Sequence, residues 1–234
     1  MGSELTFRSG LHDVLPTTFG YIGVGLAFGV VSRTSNLSLW TVLLMSLVVY
    51  AGSAQFIITS MLLAGSPISA IIFSAFLVNS RMILMSTSMA QYFKKYSLAT
   101  NIGIGSLLTD ETFALGMNKL NDTGHKLTPV WFHTANVVAY LVWAVATVAG
   151  ALIGNLITDP KTFGLDFALV AMFLGLLYLQ MVSDRSKKLS LQLSVIAFVA
   201  VAVYVLLIFL SANFALLGGT ILGCLFGMGV TKWR

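Results

Sequence analysis

Residues 39–64 read LWTVLLMSLVVYAGSAQFIITSMLLA, an apolar stretch that is long enough to cross a membrane and is interrupted at its centre. The interruption is YAGSAQF at residues 50–56, where Gly52, Ser53 and Gln55 are poor residues for a helix that faces lipid. Two interpretations follow from it. The small residues permit a close helix crossing, or the helix opens here and its free backbone N–H and C=O groups face a substrate near the centre of the membrane.

The rest of the chain has the same apolar character. Of its 234 residues 57% are hydrophobic and 9% are charged, and the mean hydropathy is +0.92. An average soluble domain carries about 25% charged residues, so the composition excludes a soluble enzyme, a nucleic-acid-binding protein and a disordered chain. The net charge of +5 comes from Lys and Arg in short gaps between apolar runs, where they orient a protein in the lipid bilayer. The composition predicts an all-α, polytopic helical membrane protein.

A transmembrane helix needs about 20 mostly apolar residues. We expect seven to eight transmembrane or re-entrant helices, with a discontinuous helix near residues 50–56. The candidate spans are residues 15–33, 39–64, 67–92, 98–118, 130–155, 163–182, 189–210 and 213–230. They predict an N-terminal tail (1–14), a single integral membrane domain (15–230) and a C-terminal tail (231–234).

The fourth candidate span leaves the topology open, because Asp110 and Glu111 stand side by side near its centre. It either crosses the membrane, which gives eight spans, or is re-entrant, which gives seven. The distribution of Lys and Arg then favours a cytoplasmic N-terminus with eight spans and an external one with seven. Both arrangements put the C-terminus, with Lys232 and Arg234, in the cytoplasm.

The third candidate span carries Asn79-Ser80-Arg81 near its centre. An arginine at this depth costs about 2.5–3.5 kcal/mol to insert. Ser74, Arg81 and Ser88 are seven residues apart, which indicates a polar face turned towards protein or water. Arg81 either neutralises a buried carboxylate of the protein or binds the carboxylate of a substrate. The two roles can alternate in one transport cycle.

Candidate partners for Arg81 lie in the fourth span. On a helix Asp110 and Glu111 point about 100° apart, so one can pair with Arg81 while the other faces water. Burial favours the protonated form of a carboxyl group and a nearby Arg favours the charged form, and together they make a proton switch. A solvated turn is the alternative. His133 in the fifth span shares a helix face with Asn136 and Tyr140 and is either a packed residue or a proton relay.

Glycines recur four residues apart, a spacing that lets helix backbones approach closely in lipid. They are Gly25 and Gly29 in the first span, Gly150 and Gly154 in the fifth, and Gly219, Gly223 and Gly227 in the last. Packing within one chain is one interpretation. A contact with a partner subunit is the other, for which the last span is the best candidate.

The chain carries no enzyme or metal signature. It lacks the HExxH and GxSxG patterns, a Cys/His cluster and a phosphate-binding loop. We therefore expect no catalytic residue, no cofactor and no metal, and any uphill transport would be driven by an ion gradient or by a partner. A channel-like protein, or a non-transporting sensor or assembly subunit with a buried ion-pair core, is the alternative to a carrier.

Three motifs together resemble the AzlC family, the large subunit of bacterial branched-chain amino acid exporters. They are YAGSAQF at 50–56, NSR at 79–81 and LTDETF at 108–113, and GLDFALVAMF at 164–173 is also similar. One position departs from the family pattern. The family often has His directly after the Arg, whereas this chain has Met82, so no role of that His is transferred.

The resemblance implies a secondary transporter that exports branched-chain or similar apolar amino acids across the bacterial cytoplasmic (inner) membrane. It also implies a small membrane partner subunit of the AzlD type, and leucine, isoleucine, valine and methionine are equal candidates for the substrate. The predicted substrate-binding residues are Gly52, Ser53, Gln55, Asn79 and Arg81. The carboxylates suggest proton antiport, and the predicted proton-coupling residues are Asp110, Glu111 and His133.

Overall fold

The computed structural model describes residues 5–156, 188–210 and 212–232 and single positions between 170 and 182. The described residues form helices and turns, with no strand among them, which confirms the predicted all-α class. The chain divides into two compact units, Met1–Phe173 and Leu174–Arg234. The predicted sixth span and the motif at 164–173 lie largely outside the described residues.

Within the described residues, eight helices of the first unit and two of the second have defined bounds. Those of the first are α1 Phe7–Asp13, α2 Leu15–Thr34, α3 Leu39–Leu44, α4 Gly52–Leu63, α5 Ile68–Ala90, α6 Leu98–Ser106, α7 Asp110–Asp122 and α8 Pro129–Gly154. Those of the second are α9 Leu189–Phe209 and α10 Ala212–Lys232. A π turn, Met45–Val49, extends α3, and a 3₁₀ turn, Gln91–Phe93, extends α5. Among the described helices α2, extended α5, α8 and α9 are long and apolar enough to cross a membrane.

The core of the first unit is the pair α2 and α8, whose glycines allow close contact. A Cβ atom added at Gly25 would lie 2.8 Å from the Cβ of Ala146. One added at Gly29 would overlap the backbone near Gly150, and one at Gly150 would overlap the backbone of Leu26. These glycines therefore pack within the chain, as one of the two interpretations predicted.

Polar contacts join the same pair at both ends. The side of the unit on which α2 and α8 begin is called here the first side. There Asp13 accepts hydrogen bonds from Lys119 Nζ (2.7 Å) and Trp131 Nε1 (2.9 Å). On the second side, where both helices end, Arg33 Nε donates to Asn155 Oδ1. The two helices thus run parallel, and the chain between them returns from the second side to the first.

The interrupted stretch 39–64 does not cross the membrane, because it folds back on itself. α3 begins beside the end of α2 on the second side and leads to Tyr50, whose ring meets that of Tyr140 in the middle of α8, with centroids 4.8 Å apart. α4 then returns, and the hydroxyl of Thr59 lies 3.4 Å from that of Ser32 near the end of α2. α3 and α4 form a re-entrant pair, called hairpin A, with its tip at Tyr50.

A second re-entrant pair, called hairpin B, enters from the first side. α6 begins next to the end of α5, where Asn101 Nδ2 donates to the carbonyl of Phe93 (3.3 Å). The tip at Thr109 reaches α2, with its hydroxyl 2.6 Å from that of Tyr21. α7 then returns to the first side, where Lys119 pairs with the aspartate that precedes α2.

α5 connects the two hairpins and runs opposite to α2 and α8. It begins after hairpin A on the second side, and its end packs on the first side, where Met89 and Phe93 join Phe132 in one buried cluster. α2 with hairpin A and α5 with hairpin B are therefore related by inverted topology. Inverted repeats with interrupted helices are a recurrent plan of secondary transporters.

Both hairpins start with the same helix cap. The hydroxyl of Ser38 accepts a hydrogen bond from the backbone N–H of Thr41, and Ser97 does the same with Thr100. The expected discontinuity near residues 50–56 is confirmed. The expectation that the second candidate span crosses the membrane is corrected, since hydropathy records apolar length and does not register a reversal at the tip.

The second unit contains the pair α9 and α10. A Cβ atom at Gly219 would meet the side chain of Val203, and one at Gly223 would meet that of Val199. α9 occupies this face of α10. The glycines of the last span thus pack within the chain, and the alternative of a partner-subunit contact at this face is corrected.

We expect Gly29→Ala to lower the thermal unfolding midpoint in detergent, because its methyl group would displace the backbone of α8. The cost is about 1–3 kcal/mol. Gly20→Ala is the matched control, since nothing lies within 4 Å of a Cβ atom on this exposed face of the same helix. An equal effect of both substitutions would show that α2 and α8 do not pack at Gly29.

Asp13 lies outside the spanning helices and gives a pH-dependent contribution to stability. Burial raises the pKa of Asp13, but hydrogen bonds from Lys119 and Trp131 and the charge of Lys119 outweigh it, so the pKa lies below its ordinary value. A carboxyl group with a lowered pKa stabilises the folded state above its unfolded pKa, and that contribution is lost as the pH falls through its folded pKa.

We expect Lys119→Met to lower the free energy of unfolding by about 1–2 kcal/mol at pH 7. The difference from the unsubstituted protein should shrink as the pH falls below the ordinary range of a carboxyl group and through the lowered pKa of Asp13. Lys126→Met, in the exposed loop after α7, is the control and should change little. Thermal unfolding between pH 3 and 8 measures both, and a constant difference over that range would contradict the assignment.

Candidate functional site

The tip of hairpin A opens the backbone at mid-depth of the unit. Tyr50 N donates to the carbonyl of Met45 across the π turn (3.2 Å), and Tyr50 has the left-handed angles φ 41° and ψ 44°. Ala51 is extended, and α4 begins at Gly52 without a side-chain cap. The N–H groups of the first turn of α4 therefore have no intrahelical partner. A helix N-terminus in this state attracts an anion.

The tip of hairpin B also presents a helix N-terminus, but this one carries acidic residues. Thr109 caps α7 through reciprocal hydrogen bonds with Thr112. Asp110 and Glu111 follow in the first turn, where negative side chains balance the partial positive charge of the helix end. The two hairpins thus direct one uncapped and one acidic helix N-terminus towards the centre of the unit.

Arg81, from the middle of α5, joins the two tips. Its Nη2 atom lies 2.7 Å from Asp110 Oδ2 in hairpin B and donates to Ser53 Oγ in hairpin A (2.8 Å). The side chains of Arg81 and Asp110 are 35% and 19% exposed, so both are partly shielded yet reachable. Arg81 can therefore pair with Asp110 and still be reached by a substrate, so the two roles predicted for it are compatible.

Glu111 has a different partner from Asp110, as expected for adjacent residues on a helix. Tyr21 in α2 donates its hydroxyl to Glu111 Oε2 (2.8 Å), and the same hydroxyl lies 2.6 Å from that of Thr109. The second carboxylate, which was expected to face water, is partly exposed and is also hydrogen-bonded to Tyr21. Tyr21 was missed at the sequence level, because a single tyrosine in an apolar span gives no signal of the partner it will meet.

Several buried polar atoms around the tips have no hydrogen-bond partner among the described residues. They include the hydroxyl of Tyr50, Arg81 Nε and Asn79 Oδ1. A buried polar atom without a partner is costly, and in a native protein it often marks the place of a ligand, an ion or a water molecule. Hairpin A and α5 therefore both have polar atoms that could hydrogen-bond to an additional group.

Gln55 lies behind the tip of hairpin A in a fully buried hydrogen-bond network. Its Nε2 donates to Ser46 Oγ (3.1 Å), and its Oε1 accepts from Trp143 Nε1 (2.9 Å). Ser46 Oγ lies 2.8 Å from Thr147 Oγ1 of α8. The amide of Gln55 therefore fixes the position of hairpin A against α8. Trp143 and Thr147 were not predicted, since their role depends on the hairpin meeting α8.

The reversal at the tip also affects three serines that are evenly spaced in the sequence. Ser46, Ser53 and Ser60 are seven residues apart and would share one face of a continuous helix. Because the chain reverses at Tyr50, Ser46 contacts α8, whereas Ser53 contacts Arg81. The reversal therefore separates Ser46 from Ser53.

The polar face predicted on α8 supports both hairpins. Tyr140 donates to the carbonyl of Leu47 in the π turn (2.9 Å), and Asn136 Nδ2 donates to the carbonyl of Ile104 in α6 (3.4 Å). His133 is exposed and lies against α6, since a Cβ atom at Gly103 would be 3.5 Å from its ring. The structure thus brings Ser53, Arg81 and Asp110 together. It places His133 beside Gly103 of α6, with no contact recorded to those three side chains among the described residues.

This architecture defines a class of protein. In this integral membrane protein two interrupted helices meet at a charged centre. That architecture is typical of a membrane transport component. The sequence profile of the family described as "AzlC protein" matches residues 16–157. The chain belongs to the AzlC family.

Several characterised and uncharacterised proteins are similar to the chain. It is 28% identical over 233 residues to "Inner membrane protein YgaZ" of Escherichia coli K12, covering 98% of this chain and 92% of that protein. It is 34% identical over 180 residues to a membrane protein of Archaeoglobus fulgidus, with coverages of 76% and 77%. It is 26% identical over 184 residues to "Branched-chain amino acid transport protein AzlC" of Bacillus subtilis, with coverages of 76% and 69%. No solved structure matches the chain significantly.

We expect Gln55→Met to lower the free energy of unfolding by about 1–3 kcal/mol, because Trp143 Nε1 loses its acceptor in a buried site. Gln91→Met in the exposed 3₁₀ turn is the matched control and should change little. Thermal unfolding in detergent measures both variants. If Gln55→Met were as stable as the control, Gln55 would not anchor hairpin A.

Proposed function

We propose that the chain is a secondary transporter that exports branched-chain or similar apolar amino acids by proton antiport, together with a small membrane partner subunit of the AzlD type. The observation that carries the proposal is the bridge from Arg81 to the tips of both re-entrant hairpins. The similarity to the branched-chain amino acid transport protein of Bacillus subtilis supports amino acids as the substrate class. The reaction is transport, with no catalytic step.

The substrate carboxylate binds between hairpin A and α5 in this proposal. Arg81 supplies a cationic donor, and Gly52 and Ser53 supply N–H groups of the uncapped first turn of α4. Asn79, two residues before Arg81 on α5, is a further polar contact. Gln55 contributes to this site indirectly, because its amide holds the turn of hairpin A in position.

A competition for Arg81 couples the substrate to a proton. When Asp110 is charged it holds Arg81, and when it is protonated the pair weakens and Arg81 is free to bind the substrate carboxylate. Loss of the proton restores the ion pair and expels the substrate, so at Asp110 the proton and the substrate bind and leave together. Movement in opposite directions therefore requires a second carboxyl group that takes up the proton after the substrate has left. Glu111 is the alternative proton carrier, and His133 is a candidate for the proton path along α6.

The charges around the first unit support an orientation in the bacterial cytoplasmic membrane. Among residues 5–156 the Lys and Arg residues near the first side are Arg8, Lys94, Lys95, Lys119 and Lys126, and Arg33 is near the second side. Basic residues in short loops favour the cytoplasm, so the first side is cytoplasmic in this proposal. We retain the expectation of a single membrane domain over 15–230 and a cytoplasmic C-terminus.

Flux of labelled leucine in proteoliposomes tests the proposal, with and without a co-expressed small membrane subunit. We expect an imposed pH gradient to change the rate of leucine efflux from vesicles that carry the chain. Arg81→Gln should reduce the flux about tenfold or more, since it removes a charged hydrogen-bond donor from the substrate. Asp110→Asn should leave a flux that no longer responds to the pH gradient.

Two exposed residues provide matched controls for these substitutions. Arg8→Gln in α1 and Asp122→Asn at the opposite end of α7 should keep both the flux and its pH response. Normal transport by Arg81→Gln would contradict the site. A leucine flux that is indifferent to the pH gradient in the unsubstituted protein would contradict proton coupling.

The same ion pair supports a second candidate, a non-transporting membrane subunit with an ion-pair core. In that case Arg81→Gln would unfold the protein, because it leaves Asp110 partly buried without a cation. Size-exclusion chromatography and circular dichroism separate an unfolded variant from a folded variant that has lost transport. A channel would instead give electrical conductance that does not saturate with leucine.

A further inference from the structure

The centre between the hairpin tips contains two carboxylates, and the described residues supply a cation to one of them. Asp110 pairs with Arg81. Glu111 meets the neutral hydroxyl of Tyr21 and takes part in no ion pair within the described part of the chain. A carboxylate in a membrane protein is stabilised by a cation or by a proton. When both carboxyl groups are ionised, the described residues leave one of the two negative charges without a cation.

Tyr50 provides a second polar group at the same place. Tyr50 is 7% exposed, and its hydroxyl makes no hydrogen bond within 3.5 Å among the described residues, although it lies close enough to the Tyr21 hydroxyl to interact with it. Because the Tyr21 hydroxyl donates to Glu111, the lone pairs of the Tyr50 oxygen remain available as acceptors. Tyr50 and Tyr21 belong to one buried cluster, and Glu111 interacts electrostatically with the phenol groups of both. An unused acceptor and an uncompensated carboxylate thus lie near each other.

We propose that Glu111 and the hydroxyl of Tyr50 form a subsite for the primary ammonium group of the transported molecule, with Tyr21 as the residue that positions Glu111. A primary ammonium has three N–H donors and one positive charge, which match a carboxylate and a phenol oxygen. The hydroxyl of Tyr21 fixes one oxygen of Glu111, so the carboxylate is oriented before the ligand arrives.

The subsite lies beside the proposed position of the substrate carboxylate. Glu111 directly follows Asp110, the partner of Arg81, and consecutive Cα atoms are about 3.8 Å apart. Tyr50 is in the same tip as Ser53, which Arg81 also contacts. An α-amino acid carries its carboxylate and ammonium on one carbon, and the proposal requires that it contact Arg81 and Glu111 from one position.

The subsite rests on the proposed function and makes it more specific. It predicts that the ligand must carry both charges with an unsubstituted ammonium group. Molecules with the same apolar side chain and carboxylate but no ammonium would satisfy Arg81 and leave Glu111 without a cation. Quaternary ammonium analogues would supply the charge and lack the N–H donors that Tyr50 and Glu111 accept.

Ligand-dependent thermal unfolding of the full chain in detergent tests the subsite, because stabilisation by a ligand reports its apparent Kd. The probes are L-leucine, 4-methylpentanoate, which lacks the amino group, and N,N,N-trimethyl-leucine. We expect both analogues to bind the unsubstituted protein about tenfold or more weakly than leucine, as for the loss of hydrogen bonds to a charged group. Equal binding of all three would overturn the inference without any substitution.

Two conservative variants then assign the effect to the named residues. Tyr50→Phe and Glu111→Gln should each weaken leucine binding about tenfold and leave the apparent Kd of 4-methylpentanoate unchanged. Tyr204→Phe, at an exposed position of α9, is the matched control and should bind leucine normally. If one variant fails to fold, the other and the analogue series still decide the question.

The outcomes separate this inference from the proposed function. Leucine binding that neither variant changes, or a parallel loss of leucine and 4-methylpentanoate binding, overturns the ammonium subsite and leaves amino acid transport standing. A Glu111→Gln protein that binds leucine normally but loses the pH response of its flux makes Glu111 the proton carrier instead and also overturns the subsite. Absence of both leucine binding and leucine flux in the unsubstituted protein overturns the proposed function and the subsite with it.

Discussion

The central constraint on this protein is a guanidinium group held at mid-depth of a membrane unit. Arg81 is costly to insert, and its cost is offset by Asp110 at 2.7 Å and by the hydroxyl of Ser53 at 2.8 Å. These partners come from two helices that are interrupted at the required place. Each interruption exposes backbone groups that lipid cannot satisfy. The charge and the interruptions therefore depend on one another, and α2 and α8 form the rigid frame that encloses them.

The inverted order of the elements explains how the interruptions meet. Hairpin A enters from the second side and hairpin B from the first, and α5 passes between them with Arg81 near its middle. Two helix N-termini then point towards one centre, which favours negative charge there. Hairpin B supplies that charge through its own acidic residues, whereas the uncapped end of hairpin A is available to a ligand. The two tips therefore differ chemically: one carries negative side chains, and the other offers free N–H groups to a ligand.

Much of the site was predictable because polar residues are rare in this chain. The break near residues 50–56, the deep Arg81 and the adjacent Asp110 and Glu111 all stand out against an apolar background. Membrane burial makes such residues expensive, so their presence alone indicates a protein-facing role. Tyr21 had no comparable signal, since aromatic residues are common in membrane helices and its role depends on one hydroxyl meeting Glu111.

The amino-acid sequence by itself determined that this is a helical membrane protein and that its charged groups lie deep in apolar segments. These follow from composition and from the length of apolar runs, which are local properties of the chain. Only the tertiary structure decided that the stretches at 39–64 and 98–118 turn back at their centres, because a reversal and a crossing have the same hydropathy. It likewise decided that Asp110 meets Arg81 while Glu111 meets Tyr21. Which partner a side chain finds depends on how distant helices pack, and no local pattern records that packing.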